Sequence, residues 1–145
     1  MKKTCLVLII GIFLLGACAQ PTAEQPLEVS SAWARPANSG QTSAVYFTIR
    51  NPNAKADQLL RAVSSAARTV ELHMSMEDSS GVMSMHPQES VEIPAKGQVE
   101  FIPGGLHVML IDLTQDLKTG ESLTLTLEFD HSEPIRIEVP IQEQP

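Results

Sequence analysis

From Leu27 onward, apolar segments of four to nine residues rich in Val, Ile, Leu and Thr are cut at short intervals by Pro, Gly and Asn. Punctuation of that kind suits many short strands and little else. Thr124-Leu125-Thr126-Leu127 and Ile135-Arg136-Ile137-Glu138-Val139 alternate with period two, which sends one side-chain set into a core and the other into water. Strands are expected near Glu28–Ala34, Ser43–Arg50, Gln58–Val63, Thr69–Met76, Gly81–Met85, Ser90–Ile93, Gln98–Phe101, His107–Leu113, Ser122–Phe129 and Ile135–Ile141. The stretch Ala54–Arg68 is ambiguous, because Leu59, Leu60, Val63 and Ala67 also suit one face of a helix. There is no internal repeat and no low-complexity tract, so a single all-β domain, sandwich or barrel, is expected. One Trp, one Tyr and four Phe, of which Phe13 precedes the domain, make its core aliphatic and supply no platform for stacking sugars or bases.

The first seventeen of the 145 residues stand apart from this pattern. Lys2 and Lys3 precede an almost unbroken apolar run, Cys5–Leu15, and Leu15-Gly16-Ala17-Cys18 has the spacing of a bacterial lipobox. Eleven residues are too few for a membrane span, which takes about 20, so the segment reads as an export signal. The expected organisation is a signal peptide over 1–17, a polar tether over 18–27 lipidated at Cys18, and a folded domain over 28–142. Ala17-Cys18-Ala19 also fits an A-x-A site, whose cleavage would release a soluble protein beginning at Gln20. The expected location is the membrane surface facing a periplasm or the cell exterior.

Removing the leader's two lysines from ten Lys+Arg, against seventeen Asp+Glu, leaves a formal charge of -9. With no basic cluster after Lys3, a nucleic-acid partner is excluded, and such a surface does not adhere to anionic lipid by charge. Cys5 leaves with the signal and Cys18 carries lipid, so disulfides, thiol catalysis, Cys-ligated zinc and blue-copper thiolate all drop out.

Apart from Met1, every methionine lies between Met74 and Met109, and His73, His86 and His107 fall in the same window. In Leu106-His107-Val108-Met109-Leu110 the apolar parity leaves His107 and Met109 together on the opposite face, about 7 Å apart at roughly 3.3 Å per residue. The same parity in Val70-Glu71-Leu72-His73-Met74 turns His73 outward and Met74 toward the core. Imidazole with thioether suits a soft monovalent ion, Cu(I). Calcium and magnesium need oxygens, and the acids here are scattered singly. His86, before Pro87, is expected in a solvated hairpin or loop, and His131 in a surface turn. Met76 and Met83 are expected to pack or be exposed, the alternative being capture of copper in transit beside the site, and Glu77 and Asp78 to solvate their turn.

His73-Met74, ten residues, Met85, twenty-one residues, then His107-Val108-Met109 resembles the H(M)-x10-M-x21-H-x-M signature of the PCu(A)C periplasmic copper chaperones. Trp33-Ala34-Arg35-Pro36, Tyr46 with Asn51, Val70-Glu71-Leu72-His73, Pro103-Gly104-Gly105-Leu106 and Ile137-Glu138-Val139-Pro140 extend the likeness across the domain. The resemblance implies a cupredoxin-like Greek-key β-barrel or sandwich, makes Gln58–Val63 a strand, and implies His73, Met85, His107 and Met109 as Cu(I) ligands. It also implies delivery of copper to the dinuclear site of cytochrome c oxidase subunit II, alongside Sco-type thioredoxin-fold proteins. A monomer without enzymatic activity is expected. The chain ends Ile141-Gln142-Glu143-Gln144-Pro145 without the His/Met-rich tail of some members, so a second, Cu(II) site is not expected. The rival readings are a redox copper protein, which two thioethers disfavour because they resist cycling, and a structural lipoprotein whose Met/His cluster is coincidental.

Overall fold

The computed structural model describes residues 24–77 and 79–144. The signal segment, Cys18, the tether as far as residue 23, and Asp78 lie outside the described residues. Among the described residues ten strands form: β1 (Glu28–Ala34), β2 (Ser43–Arg50), β3 (Asp57–Val63), β4 (Ala67–Glu77), β5 (Met83–Gln88), β6 (Val91–Ile93), β7 (Gln98–Phe101), β8 (Leu106–Leu113), β9 (Ser122–Phe129) and β10 (Ile135–Pro140). They build one sheet in the order β1-β2-β7-β8-β4-β5 and another in the order β10-β9-β3-β6. Neither sheet closes on itself, so of the two expected shapes the cupredoxin-like sandwich is the one observed.

The alternation of the strands makes the core. Val45, Phe47 and Ile49 of β2, Val108 and Leu110 of β8, Leu59 of β3, and Leu123, Leu125 and Leu127 of β9 are all buried between the sheets. The rings of Phe47 and Phe101 stack at 4.4 Å in an otherwise aliphatic interior. Strand β2 serves two neighbours, pairing with β8 over Ser43–Val45 and with β7 over Phe47–Arg50. The turn from β7 to β8 makes this possible. Ile102 N–H donates to the Leu106 carbonyl at 2.8 Å and Gly105 N–H to the Ile102 carbonyl at 3.0 Å, while Gly104 takes a φ of 80°, a left-handed conformation that suits glycine. The Gly105 carbonyl also accepts Ser75 N–H at 3.1 Å, tying the turn to β4.

The ambiguous stretch is a strand with a bulge. Register shifts between Leu59 and Arg61, so the buried residues of β3 are Asp57, Leu59 and Ala62. Strand β5 begins and ends later than the expected Gly81–Met85 because Pro87 lies inside it, opposite His73. A proline is tolerated there because β5 is an edge and one side of its backbone has no ladder to complete.

Asp57 is the buried carboxylate that fastens the β9–β10 connection to β3. It accepts N–H bonds from Gln58 at 2.7 Å, His131 at 3.0 Å and Ser132 at 2.9 Å. Burial pushes its pKa up, but the Ser132 side chain and these three amides outweigh that and hold it below the ordinary value of 3.8. A depressed folded-state pKa adds stability above the unfolded value and loses it as pH falls through the folded one. Asp57→Ala is expected to cost about 1–3 kcal/mol at pH 7 by orphaning those amides. It should also flatten the loss of stability between pH 5 and 2 in urea melts. An unchanged acid limb in the variant would show that Asp57 is not the group responsible.

Candidate metal centre

Residues directly opposite one another in a sheet share a face, and register therefore decides which donors meet. His73 of β4 pairs with His107 of β8, and Trp33 of β1 pairs with Tyr46 of β2. The rings form a row across four strands on the outer face of the larger sheet: Trp33 to Tyr46 at 4.6 Å, Tyr46 to His107 at 6.4 Å, and His107 to His73 at 5.8 Å. The row covers itself well enough that His73 is only 9% and His107 only 5% exposed.

Each imidazole uses one nitrogen locally. His107 Nδ1–H donates to the Gly105 carbonyl at 3.0 Å, and His73 Nε2–H donates to the Glu71 carboxylate at 2.7 Å. The nitrogens left with a lone pair are Nε2 of His107 and Nδ1 of His73. His73 Nδ1 is the one buried side-chain N or O without a hydrogen-bond partner among the described residues. A buried acceptor with nothing to accept costs about 1–3 kcal/mol, and a metal ligand awaiting its ion is one setting in which that cost is functional.

The methionines flank the histidine row. Met109 pairs with Glu71 and Ala44, one row to one side, and Met85 pairs with Ser75, one row to the other. His107, Met109, Met85 and Met83 line one open cleft of about 630 Å³, together with Tyr46 and Ser75. The two sides of the cleft differ: Met109 is half-buried in the sheet, whereas Met85 is 58% exposed on the edge strand.

The structure brings His107, Met109 and Met85 to one cleft and sets His73 against His107, and it leaves other candidates away from that face. Met74 pairs with His86, and Met76 with Ser84, on the opposite face of the β4–β5 hairpin. His86 lies in that hairpin and is exposed, as expected, with Nε2 3.0 Å from Ser84 Oγ. Met74 is half-buried and outside the core cluster where its parity had placed it. His131 is exposed, with Nδ1 3.2 Å from Asp130 and 3.5 Å from Asp57. Glu71, Tyr46 and Trp33 were not singled out by sequence as parts of the site.

The family profile described as "Putative lipoprotein LpqE-like" matches residues 27–141. The chain belongs to the LpqE-like family. "Putative lipoprotein Lxx21020" of Leifsonia xyli subsp. xyli is 30% identical over 131 residues, covering 89% of this chain and 78% of that protein. "Uncharacterized protein RP573" of Rickettsia prowazekii is 31% identical over 112 residues, covering 74% of this chain and 62% of that one. Among solved structures, the copper-bound PCuAC domain from PmoF2 superposes with a TM-score of 0.69 at 21% identity, covering 85% of this chain and 97% of that domain. The Cu(I) form of DR1885 from Deinococcus radiodurans superposes with a TM-score of 0.59 at 25% identity, covering 81% and 80%. This LpqE-like protein thus has the fold of PCuAC domains, a cupredoxin-like β-sandwich.

Proposed function

We propose that this LpqE-like protein is an exported, non-enzymatic carrier of Cu(I). It holds the ion on His73, His107, Met85 and Met109 and passes it to a copper-accepting protein such as the dinuclear site of cytochrome c oxidase subunit II, with Sco-type proteins as further partners. The observation that carries the reading is the pair of facing histidines, each with one nitrogen engaged and one lone pair left, beside a cleft lined by Met83, Met85 and Met109 on the same face. The donors gathered on this face are imidazoles and thioethers, a set that suits a soft monovalent ion. Solved structures of similar fold carry copper, and one carries it as Cu(I). Copper is the cargo, and two imidazoles with two thioethers favour its reduced form.

Trp33 is the only tryptophan and stands two rings from His107, which provides a reporter. Anaerobic addition of Cu(I) to the purified mature protein is expected to change Trp33 emission until one equivalent is bound. The loaded protein is expected to yield its copper to an apo subunit II copper domain. No saturable change, together with no copper retained on desalting, would leave a structural lipoprotein as the reading. Retention without transfer would overturn the delivery role alone.

A further inference from the structure

We propose that Glu71 is the positioning residue of this site: by accepting the Nε2 proton of His73 it commits that histidine to bind through Nδ1, so that the two imidazoles serve the ion through opposite nitrogens. The inference rests on the Cu(I) reading above, and its first test needs no copper.

Strand parity puts Glu71 and His73 on one face two residues apart, and their side chains meet at 2.7 Å. The ring of His73 is nearly enclosed, so it has few ways to satisfy both nitrogens at once. It gives Nε2 to a carboxylate and leaves Nδ1 orphaned. A bond to a charged acceptor is stronger than one between neutral groups, and so it can hold a ring in an orientation that strands its other nitrogen. A carboxylate behind an imidazole also raises the basicity of the nitrogen that faces a metal.

His107 solves the same problem differently. Its Nδ1–H is held by the Gly105 carbonyl, which belongs to a backbone turn fixed by the bonds of Ile102, Gly105 and Ser75. Orientation of His107 is thus built into the main chain, while that of His73 depends on one side chain that substitution can remove. Glu71 is 43% exposed and contributes nothing to the core cluster, so its replacement acts on the site more than on the fold.

The test is long-range ¹H–¹⁵N correlation on protein labelled at histidine. In the apo wild type, His73 is expected to show a protonated Nε2 and a lone-pair Nδ1, and His107 the reverse. On adding Cu(I), the His73 nitrogen that shifts is expected to be Nδ1. Glu71→Leu should lose the protected Nε2 proton and bind Cu(I) about 10–100-fold more weakly, the range for removing the partner behind a metal ligand. Glu71→Gln, whose amide oxygen still accepts, should stay within about threefold of wild type, a rescue that a loss of folding would not show. An apo His73 protonated at Nδ1, or a Glu71→Leu variant that binds like wild type, overturns the role of Glu71 alone. A wild type that shows the expected apo pattern and takes up no Cu(I) overturns the carrier reading, and the proposal with it.

Discussion

His107→Ala is expected to weaken Cu(I) binding by more than about 100-fold, measured in competition with a Cu(I) chelator, while leaving the folded domain intact. Outer partners of a metal ligand are typically worth about 10–100-fold, and His107 is proposed as a ligand itself, so its loss exceeds that range. It also sits at the centre of the ring row, against both Tyr46 and His73, so that its removal takes a donor from the point where β2, β8 and β4 converge. The fold should survive because His107 faces away from the inter-sheet core, which is built on the other face of β8 by Val108 and Leu110. Met109→Ala is expected to act in the same direction. Met74→Ala is the control, since Met74 lies on the reverse face of the β4–β5 hairpin opposite His86. Equal losses in His107→Ala and Met74→Ala, with matching melting temperatures, would mean that the cleft is not where copper binds.

Cys18→Ser is expected to move the protein almost wholly from the membrane to the soluble fraction, or to leave it unprocessed, with Cu(I) affinity unchanged. Leu15-Gly16-Ala17-Cys18 has lipobox spacing, which makes the Cys18 sulfur the expected site of lipid attachment. A diacylglycerol thioether plus an N-terminal acyl chain buries several hydrocarbon chains, and at about 0.8 kcal/mol per CH₂ that holds a protein firmly where one chain would not. A carrier held this way searches a thin layer beside the membrane, which raises its effective concentration toward a membrane-held acceptor without any added affinity. Cells with the variant should therefore metallate their oxidase less well at limiting copper. Wild-type protein found soluble, with its N-terminus at Gln20, would show that the Ala17-Cys18-Ala19 cleavage operates instead.

Sequence spacing located most of the strands. The bounds of β1, β2, β7 and β9 coincide with the expected ones, β1 despite a register shift between Ser30 and Trp33. Which residues a strand buries is harder to read where a bulge breaks the alternation. In β3 the helix-like set includes Leu60 and Val63, which are exposed, while the bulge puts the buried positions at 57, 59 and 62 of the expected strand. Pro87 reads as a strand end in the sequence because a single strand does not reveal that it lies at a sheet edge. At the site, parity put His107 and Met109 on one face, and the structure agrees. Pairing between strands distant in sequence was not legible in one chain, so the meeting of His73 with His107, and the extension of that row to Tyr46 and Trp33, came only with the register. Glu71 did carry a signal: an acid two residues before a histidine on a strand shares its face.

Strand β5 is exposed along nearly its whole length, pairs with β4 alone among the described residues, and carries Met83 and Met85. It contributes no residue to the core cluster. Substitutions along it therefore fall in the class that moves stability by about 0.5 kcal/mol or less. Side chains on β5 can thus change with little penalty from unfolding, while the histidine side of the cleft, joined to the packed sheet, stays fixed. On the carrier reading proposed above, that division would let one scaffold be retuned for acceptors of different affinity by altering the arm alone.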